Sequence, residues 1–503
     1  MRVNLLLLLL LWAPIAVICL AADEGEGEGE ALLATFTLFD NGSSENGINV
    51  TLSASEFLKS EIEDEPGLAF AIEMSKLIEV SKFEAPKPVI ATKAYREDGE
   101  LITSHRQLLP LLPDGDDNNE ESLRRVYLVA DGLEFVWPFV SLHHMQEISP
   151  NVLPPVPGID QPIIIESLSE TPRVFHVHNL FTEDESNAII ESAHQASGVL
   201  ALQRSTTGTG DDLKQDPTRT SHNAWDWQSP AARKIITRSF QLTTVEEDDG
   251  KRDGLQVVRY NKGEAYNYHP DYSTPDKDPN FEFEPYKGGS NRFATVFLYL
   301  NNVDSGGYTV FTEAPDIGPP RTPPPGALEM FEPTSWQHWL LNICYEKLAV
   351  PPKLGSAALF YSITPDGRID HKSIHGACPV VEGTKWGANL WIWNKQRYGA
   401  TRTGGIKRFL DIWNQRDETM YISYEGQPMT TIPGGQRSRM NTFEFHRFQA
   451  HLHSHEEKMA VDSYTVQSRP DSQVWTIKKP RVYNTRAQEG GDDGGGGAVN
   501  DEL

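Results

Sequence analysis

Short apolar and aromatic runs, separated by glycine, proline and aspartate, dominate the chain between residues 255 and 400. Each run has the length and the aromatic content of a β-strand, and the residues between the runs are typical of turns. The pattern predicts four strands, Leu255–Tyr260, Arg292–Leu300, Ala357–Tyr361 and Gly387–Trp393. Many short strands joined by turns favour a β-sandwich or a jelly roll.

The flanking regions show the same pattern and one clear helix start. Further strands are predicted at Leu32–Phe39, Arg125–Ala130, Met420–Tyr424 and Asn441–His446. A helix is predicted after Thr182, because this residue is a favourable N-cap and Glu185 completes a capping box three residues later. The predicted fold is therefore mainly β with flanking helices (α+β), with a β-rich accessory domain at each end.

Length and composition set the domain organisation. A chain of 503 residues has room for about three domains. With 38% hydrophobic and 10% aromatic residues it can bury real cores, which excludes wholesale disorder. A proline-rich stretch at 150–162 predicts a boundary. We predict an N-terminal accessory domain with an acidic linker at 23–165, a catalytic domain at 166–400, a β-rich module at 401–485 and a flexible tail at 486–503.

Acidic residues outnumber basic ones by 71 to 45, which gives a formal net charge of −26. Nucleic-acid binding depends on clustered lysine and arginine that contact phosphates. The charge balance therefore argues against nucleic acid as a partner, although it says nothing about the fold.

Both ends of the chain predict residence in the endoplasmic reticulum lumen. Residues 1–22 combine Arg2, a leucine run and small residues before the first acids, which is typical of a cleaved signal peptide. The alternative is an uncleaved anchor, the only case in which we expect membrane attachment. The last four residues, NDEL at 500–503, resemble retrieval tetrapeptides, although the first position departs from the usual lysine or histidine.

Cysteines and sequons agree with a secretory origin. Outside the signal segment only Cys344 and Cys378 remain. In an oxidising lumen they are expected to form one disulfide, with two buried free thiols as the alternative. Asn41 and Asn49 begin N-glycosylation sequons, so glycosylation is predicted at both.

The candidate chemistry begins with His269 and Asp271. On an extended segment these alternate residues share one face, so both can reach the same metal ion. His375 is the candidate that completes a set of two histidines and one carboxylate, the facial triad of non-haem Fe(II) oxygenases. The alternative is a chance pairing of surface residues, which is the usual meaning of an isolated His-x-Asp.

Lys385 is the second part of this hypothesis. It follows His375 closely in sequence, and Pro379 and Gly383 permit the turn that would bring it back to the same pocket. A buried ammonium group there would suit the distal carboxylate of a dicarboxylic acid. The alternative is a solvated surface lysine, since lysine is rarely buried.

Four motifs in one order resemble the catalytic domain of prolyl 4-hydroxylases, members of the 2-oxoglutarate- and Fe(II)-dependent dioxygenase superfamily. They are YNKGEAYNYHPD at 260–271, GGYTVF at 306–311, GSAALF at 355–360 and HGACPVVEGTKW at 375–386. The resemblance covers less than half of the chain. It implies a double-stranded β-helix that uses Fe(II), 2-oxoglutarate, O₂ and L-ascorbate to hydroxylate peptidyl proline at C4, releasing succinate and CO₂.

The resemblance also implies roles for individual residues. His269, Asp271 and His375 would bind iron, and Lys385 would pair with 2-oxoglutarate, helped by hydrogen bonds from Tyr260 and Thr309. The positions that would line the peptide groove are Tyr266, Arg292 and Trp391. For these last three a purely structural role is the alternative: core aromatics and an ion pair. The positions of Cys344 and Cys378 match a disulfide seen in the family.

Two positions depart from the family pattern and put the peptide preference in question. Tyr308 replaces the usual glutamate of a Gly-Gly-Glu-Thr turn, and Trp393 stands where some relatives carry a histidine. The long proline-rich stretch at 313–345 is expected to be a lid or a surface insertion.

Substrate and partners stay open at this stage. The expected substrate is a proline-rich or collagen-like polypeptide, whose polyproline II form suits an aromatic groove. A disulfide isomerase subunit is a further partner to consider. The rival functions are a lysyl hydroxylase, which normally has arginine in place of Lys385, and a non-catalytic binder of proline-rich peptides.

Overall fold

The structure is a computed structural model, and it describes fourteen segments of the chain. These are 32–53, 66–104, 107–108, 124–196, 201–207, 214–227, 229–274, 282–315, 321–397, 407–424, 427–443, 447–455, 460–466 and 472–479. The predictions for the signal segment 1–22 and for the tail with its NDEL end lie outside these residues. Within the described segments, no helix combines the length and the apolar character needed to cross a bilayer.

Strands dominate the described residues, which confirms a mainly β fold with flanking helices. The helices are α1 (Pro66–Met74), α2 (Glu183–Gln195), α3 (Pro230–Thr243) and α4 (Trp336–Glu346), with 3₁₀ turns at Asp249–Lys251, Pro285–Lys287 and Leu328–Met330. The first strands are β1 (Leu32–Asp40), β2 (Ile48–Ser53), β3 (Ala91–Arg96), β4 (Arg125–Ala130), β5 (Met145–Glu147), β6 (Ile164–Ser169), β7 (Val174–His178), β8 (Gln203–Arg204), β9 (Thr206–Thr207), β10 (Lys214–Gln215) and β11 (His222–Asp226).

The remaining strands carry the oxygenase motifs and the C-terminal region. In the central part they are β12 (Leu255–Tyr260), β13 (Tyr266–His269), β14 (Arg292–Tyr299), β15 (Ser305–Gly306), β16 (Thr309–Phe311), β17 (Leu348–Val350), β18 (Ala357–Tyr361), β19 (His375–Ala377), β20 (Val380–Glu382) and β21 (Lys385–Trp393). Further along they are β22 (Lys407–Asn414), β23 (Met420–Tyr424), β24 (Gln427–Ile432), β25 (Arg437–Phe443), β26 (Arg447–His451), β27 (Asp462–Thr465) and β28 (Ser472–Ile477).

Two antiparallel sheets face each other in the central region. The major sheet has nine strands in the order β5-β6-β7-β18-β14-β21-β12-β11-β8, and the minor sheet has four in the order β13-β19-β16-β17. Buried side chains from both sheets form one apolar cluster: Phe297 and Phe360 come from the major sheet, and Phe311 and Val350 from the minor sheet. This is the double-stranded β-helix that the sequence predicts.

The helix predicted after Thr182 forms as expected. The Thr182 side chain accepts a hydrogen bond from the backbone of Glu185, whose carboxylate accepts one from the Thr182 backbone, so the capping box is complete. The same carboxylate accepts two hydrogen bonds from Arg238 of α3, at 2.7 and 2.8 Å. One glutamate therefore caps α2 and fixes α3 beside it.

The N-terminal sheet, ordered β2-β1-β4-β3, shares a hydrophobic core with the major sheet. Trp137 is buried and donates a hydrogen bond from Nε1 to the carbonyl of Leu242 at the end of α3. Arg173 donates from Nη1 to the carbonyls of Gly42 and Trp137. Among the residues that the structure describes, those up to Phe409 belong to one compact unit.

The prediction of glycosylation at Asn41 is wrong for this fold. Asn41 is 3% exposed, and its Nδ2 donates hydrogen bonds to the carbonyls of Glu134 and Pro365. A glycan on Nδ2 would remove one of these bonds and would need space that the packed interior does not have. Asn49 is exposed, so glycosylation there stays a prediction.

A second compact unit contains most of the residues after Phe409. It contains a sheet ordered β24-β23-β26-β27 and strands of a three-stranded sheet ordered β25-β22-β28. Its own apolar cluster includes Leu410, Ile422, Phe448 and Trp475. The strands predicted at Met420–Tyr424 and near Asn441 form, whereas His446 lies outside the described residues.

Candidate active site

Two histidines and one aspartate come together at the edge of the minor sheet. His269 ends β13 and His375 begins β19, and they are partners in the antiparallel register of these strands. The carboxylate of Asp271 reaches both rings, with Oδ1 4.0 Å from Nε2 of His269 and Oδ2 3.5 Å from Nε2 of His375. One ligand atom from each residue lies within 4.8 Å of the other two. The three residues predicted to bind a metal are therefore adjacent in space.

Backbone carbonyls fix the tautomers of both histidines. Nδ1 of His269 lies 2.8 Å from the carbonyl oxygen of Asn267, and Nδ1 of His375 lies 3.0 Å from that of Ser373. A carbonyl oxygen only accepts hydrogen bonds, so each Nδ1 must carry the proton. Each Nε2 then keeps a lone pair directed towards Asp271, which is the form of histidine that binds metals.

Asp271 is buried and held in its ionised form. Its Oδ2 accepts a hydrogen bond of 2.7 Å from the hydroxyl of Thr295 on β14. Burial by itself raises the pKa of Asp271, but His375, His269 and Arg292, together with the Thr295 hydrogen bond, lower it to about 2. Burial, followed by the effect of His375, lowers the pKa of His269 to about 3. Near neutral pH the cluster therefore offers an anionic oxygen and a neutral imidazole at His269.

This donor set fits Fe(II). Two imidazole nitrogens and one carboxylate oxygen suit a borderline divalent cation and occupy only one side of it, so other coordination positions stay available. The cluster can bind a metal ion and leave room for a bidentate co-substrate.

Lys385 lies at the start of β21, inside the barrel. It is fully buried, and Gly383, with a φ of +84°, makes the turn between β20 and β21 that the sequence required. Three aromatic rings surround its ammonium group, with Nζ 4.7 Å from the ring centroid of Phe297, 5.5 Å from that of Tyr299 and 5.6 Å from that of Tyr260.

The ammonium group of Lys385 has no hydrogen-bond acceptor among the residues that the structure describes. Burial lowers its pKa to about 7, because a charge without a counter-ion is unfavourable in an apolar interior. Buried charges are normally paired. A small anion such as a carboxylate would pair with this ammonium group, which fits the distal end of 2-oxoglutarate.

Tyr260 lies beside this lysine, and Thr309 is connected to it through Tyr299. Tyr260 is the register partner of Lys385 across β12 and β21. Thr309 accepts a hydrogen bond of 2.8 Å from the hydroxyl of Tyr299. Tyr299 itself was missed by the sequence analysis. The available signal was the alternation along β14, which turns Thr295 and Tyr299 towards the same interior face.

Two of the three predicted groove residues contact the triad directly. The ring of Tyr266 stacks on that of His269, with centroids 3.7 Å apart. Arg292 donates a hydrogen bond of 3.2 Å to the carbonyl oxygen of Asp271, and its guanidinium lies 4.0 Å from the ring centroid of Trp391. Trp391 is therefore connected to the triad through Arg292. Whether these three residues contact a peptide stays a prediction.

Asp253 is a second residue that the sequence analysis missed. Its carboxylate accepts hydrogen bonds from Arg292 at 3.0 Å, Arg397 at 2.6 Å and Nε1 of Trp393 at 3.1 Å. Although burial opposes this, the two arginines lower the pKa of Asp253. Asp253 thus orients Arg292 towards Asp271. Trp393, at the position where some relatives carry histidine, donates a hydrogen bond to the same carboxylate.

The proline-rich stretch around α4 packs on the outer face of the minor sheet. Leu340 and Leu341 of α4 belong to an apolar cluster with Val310 of β16. Phe311, the next residue of β16, belongs to the cluster between the two sheets, so Val310 faces the opposite side. Cys344 in α4 forms a disulfide with Cys378, directly after β19, with a Cα–Cα distance of 6.1 Å. The insertion is therefore covalently attached next to the strand that carries His375.

Tyr308, the departure from the glutamate of the family, belongs to this outer cluster. Its ring lies 5.8 Å from that of Tyr345 and 5.6 Å from the guanidinium of Arg321. Arg321 also donates to the carbonyl of Cys344. The tyrosine at this position therefore packs against the insertion around α4. The side chain of Thr309, the next residue, is turned to the other face of β16, where it bonds to Tyr299.

Comparison with known proteins agrees with this geometry. Residues 255–393 match a sequence profile described as the 2OG-Fe(II) oxygenase superfamily. The chain is 32% identical over 229 residues to "Probable prolyl 4-hydroxylase 3" of Arabidopsis thaliana, which covers 45% of this chain and 71% of that protein. It is also 32% identical over 230 residues to "Prolyl 4-hydroxylase 5" of the same plant, covering 45% of this chain and 70% of the relative.

Solved structures give a weaker likeness. The viral collagen prolyl hydroxylase of Paramecium Bursaria Chlorella virus-1, in a complex with 2OG, is 19% identical with a TM-score of 0.28, over 44% of this chain and 95% of the viral one. A Trichoplax adhaerens prolyl hydroxylase bound to a hypoxia inducible factor peptide fragment is 14% identical with a TM-score of 0.28, over 44% and 83%. The comparison therefore rests on the relatives found by sequence.

Proposed function

The chain belongs to the prolyl 4-hydroxylase family of 2-oxoglutarate- and Fe(II)-dependent dioxygenases, and from this premise we propose that it forms 4-hydroxyproline in proline-rich or collagen-like chains in the endoplasmic reticulum lumen. The observation that carries the proposal is the convergence of His269, Asp271 and His375 with an unpaired, buried Lys385 between the same two sheets.

Each of these residues has a distinct task in the proposal. His269, Asp271 and His375 hold iron, and Lys385 holds the far carboxylate of 2-oxoglutarate, with Tyr260 beside it and Thr309 connected to it through Tyr299. The bound iron and co-substrate supply the oxidising chemistry that no protein side chain provides. The protein fixes the positions of the reactants and keeps water away by surrounding them with buried aromatic rings.

Fixed tautomers are the protein's main contribution at the metal. Because Nδ1 of each histidine is bonded to a carbonyl, both rings present Nε2 without first having to rotate or change tautomer. Thr295 and Arg292 hold Asp271 from both sides, through its carboxylate and its carbonyl. Such preorganisation reduces the cost of assembling the site when iron binds.

The substrate in this proposal is an extended, proline-rich peptide. Tyr266, Arg292 and Trp391 supply two aromatic faces and a cation next to the metal cluster. Aromatic-lined grooves suit polyproline II segments, because these are already extended and lose little entropy on binding. The relatives named prolyl 4-hydroxylase support proline rather than lysine as the target.

The lumenal setting rests on several features of the chain. The signal-like segment, the NDEL end and the Cys344–Cys378 disulfide all support an oxidising compartment that retains its residents. In this setting we propose L-ascorbate as the reductant that keeps the iron ferrous. A disulfide isomerase subunit stays a hypothesis about assembly.

Mass spectrometry of peptides after incubation tests the proposal. The full chain is incubated with Fe(II), 2-oxoglutarate, ascorbate and either a proline-rich or a lysine-containing peptide. We expect one added oxygen on proline of the first peptide, with one succinate formed for each hydroxylation. The matched control is His375→Ala, which should form neither product.

Hydroxylation of lysine would replace the proposal with the lysyl alternative. Absence of succinate and of modified peptide, with every component supplied, would favour a non-catalytic peptide binder.

A further inference from the structure

A second group of metal-ligating side chains lies on the major sheet, away from the triad. Glu166 of β6 and His176 of β7 are register partners, and His178 follows two residues later on the same face of β7. One ligand atom from each of these three residues lies within 4.8 Å of the others. The rings of His176 and His178 are 4.3 Å apart, measured between centroids. No step of the proposed hydroxylation uses these residues.

The hydrogen bonds of His176 leave one of its nitrogens available to a cation. Its Nε2 lies 2.8 Å from Oγ of Ser356, and that hydroxyl donates its only proton to the carbonyl of Lys353 at 2.7 Å. Ser356 must therefore accept from His176, so Nε2 carries the proton and Nδ1 keeps a lone pair.

The carboxylate of Glu166 connects the other imidazoles. It accepts hydrogen bonds from Nε2 of His178 at 2.8 Å through Oε2 and from Nδ1 of His143 at 2.7 Å through Oε1. A bound ion would take the place of the proton on Nε2 of His178, since metal binding to histidine releases protons. The backbone amide of His143 donates to the carbonyl of Ser167, which holds this loop beside β6. His143 is exposed, whereas Glu166 and His178 are largely covered. The group is therefore open on the side of His143 only.

We propose that Glu166, His176 and His178 form a second cation site, suited to a divalent transition ion of the zinc type. Imidazole nitrogens and a carboxylate oxygen are ligands that Zn²⁺ prefers, and three protein ligands leave its fourth tetrahedral position to water. Ser356 fixes the orientation of His176 by accepting a hydrogen bond from Nε2, the ring nitrogen that would not bind the ion. Such outer hydrogen bonds are usual around protein metal ions. Lys353 is a cation that acts on His176, but it is exposed, so solvent screens its charge.

The place of this site gives it a role different from that of the triad. The ring of His176 lies 6.4 Å from that of Tyr299, which contacts Lys385 and Thr309. The site therefore joins β6 and β7 behind the wall of the cavity that contains Lys385. A bound ion would cross-link β6 and β7 of the major sheet without taking part in oxidation.

Metal content of a variant without the triad tests the site. In His269→Ala/His375→Ala full-length chain, stripped with a chelator and then incubated with Zn²⁺ and desalted, we expect one Zn²⁺ per chain by elemental analysis. Co²⁺ in its place should give the intense visible absorption of a tetrahedral complex. Adding His178→Ala or Glu166→Gln should abolish both signals. His194→Ala, which removes an exposed histidine elsewhere, is the matched control and should retain them.

Two results would overturn the site. One is a triad variant that retains no Zn²⁺ at micromolar concentration, which would leave the group as a hydrogen-bonded network only. The other is Zn²⁺ that persists after both Glu166→Gln and His178→Ala. Glu166→Gln keeps the volume of the side chain and can still accept hydrogen bonds, so it decides the question if His178→Ala fails to fold. None of these readouts depends on hydroxylase activity.

Discussion

The hydroxyl of Thr295 donates a hydrogen bond of 2.7 Å to Oδ2 of Asp271. This bond connects the segment that carries His269 and Asp271 to β14, the middle strand of the major sheet. The position of the carboxylate is thus set by both sheets at once. Outer hydrogen bonds of this kind orient metal ligands and tune their affinity.

Removing the Thr295 hydroxyl should weaken iron binding. Thr295→Val keeps the shape of the side chain but leaves Oδ2 of Asp271 without its buried donor. We expect the Fe(II) affinity to fall by about 10- to 100-fold, the usual effect of losing such a partner. Metal titration followed by isothermal calorimetry measures the change. Thr295→Ser, which keeps the hydroxyl, should bind close to wild type, and equal affinity for both variants would contradict the role.

Binding of 2-oxoglutarate should take up a proton above about pH 7. Burial lowers the pKa of Lys385 to about 7 in the folded protein, so at higher pH its amine is largely neutral. A carboxylate partner favours the ammonium form and raises that pKa again. Calorimetry at pH 8, in two buffers with different ionisation enthalpies, measures the uptake. Heats that are independent of the buffer would argue against direct pairing.

The same lysine should dominate the affinity for the co-substrate. Lys385→Met keeps the length of the side chain without its charge. We expect the KM for 2-oxoglutarate to rise by about 10- to 100-fold, since a hydrogen bond to a charged group contributes about 1.5–3 kcal/mol. The KM for the peptide should stay within a factor of about two. An unchanged KM for 2-oxoglutarate would place the co-substrate elsewhere.

Trp391 should act on the peptide rather than on the co-substrate. Trp391→Ala removes the ring on which Arg292 stacks and opens one wall beside the triad. We expect the KM for a proline-rich peptide to rise by about tenfold, since aromatic contacts contribute about 0.5–1.5 kcal/mol beyond their buried area. Trp391→Phe should recover most of the loss. Steady-state assays that vary peptide and 2-oxoglutarate separately distinguish the two effects.

The two sequons should behave differently in a secreting host. Asn49 is exposed and should carry a glycan, whereas Asn41 is buried with both amide hydrogens bonded and should carry none. Peptide mapping after enzymatic deglycosylation in heavy-oxygen water reports the occupancy of each site. Asn49→Gln should remove the mass shift and Asn41→Gln should not. A glycan on Asn41 would show that modification precedes folding of this region.

Loss of the disulfide should destabilise the protein and loosen α4. Cys344 and Cys378 are 34 positions apart, and closing a loop of that length stabilises the folded state by about 3–4 kcal/mol in the chain-entropy description. Cys344→Ser should therefore lower the melting temperature and expose the segment around α4 to protease. Cys344→Ser/Cys378→Ser is the control, because it separates loss of the bond from the effect of a free thiol. Unchanged melting of both variants would contradict the expectation.

The sequence predicted the parts of the site that depend on local spacing. His269 and Asp271 share a face because strands alternate, and Lys385 returns to the cavity because Gly383 permits a left-handed turn. Strand positions followed from aromatic runs between turn residues, and the start of α2 followed from its capping box. In each case the information lies within a few neighbouring residues.

Features created by long-range packing were not predictable in this way. Asp253 looks like any surface acid until Arg292 and Arg397 meet it in space. Asn41 matches a sequon in the sequence, and only the contact with Pro365 shows that it is buried. Tyr299 is one aromatic residue in an apolar strand, and its neighbours in the minor sheet give it a partner.

The contacts of Arg173 with Gly42 and Trp137 limit where the protein can be truncated without losing structure. A fragment cut to the oxygenase motifs would leave this guanidinium without its carbonyl acceptors and would expose the surface that Trp137 now covers. Recombinant production, domain exchange and ancestral reconstruction should therefore keep residues from 32 onwards together with the catalytic region. On this basis the N-terminal sheet belongs to the scaffold of the catalytic region.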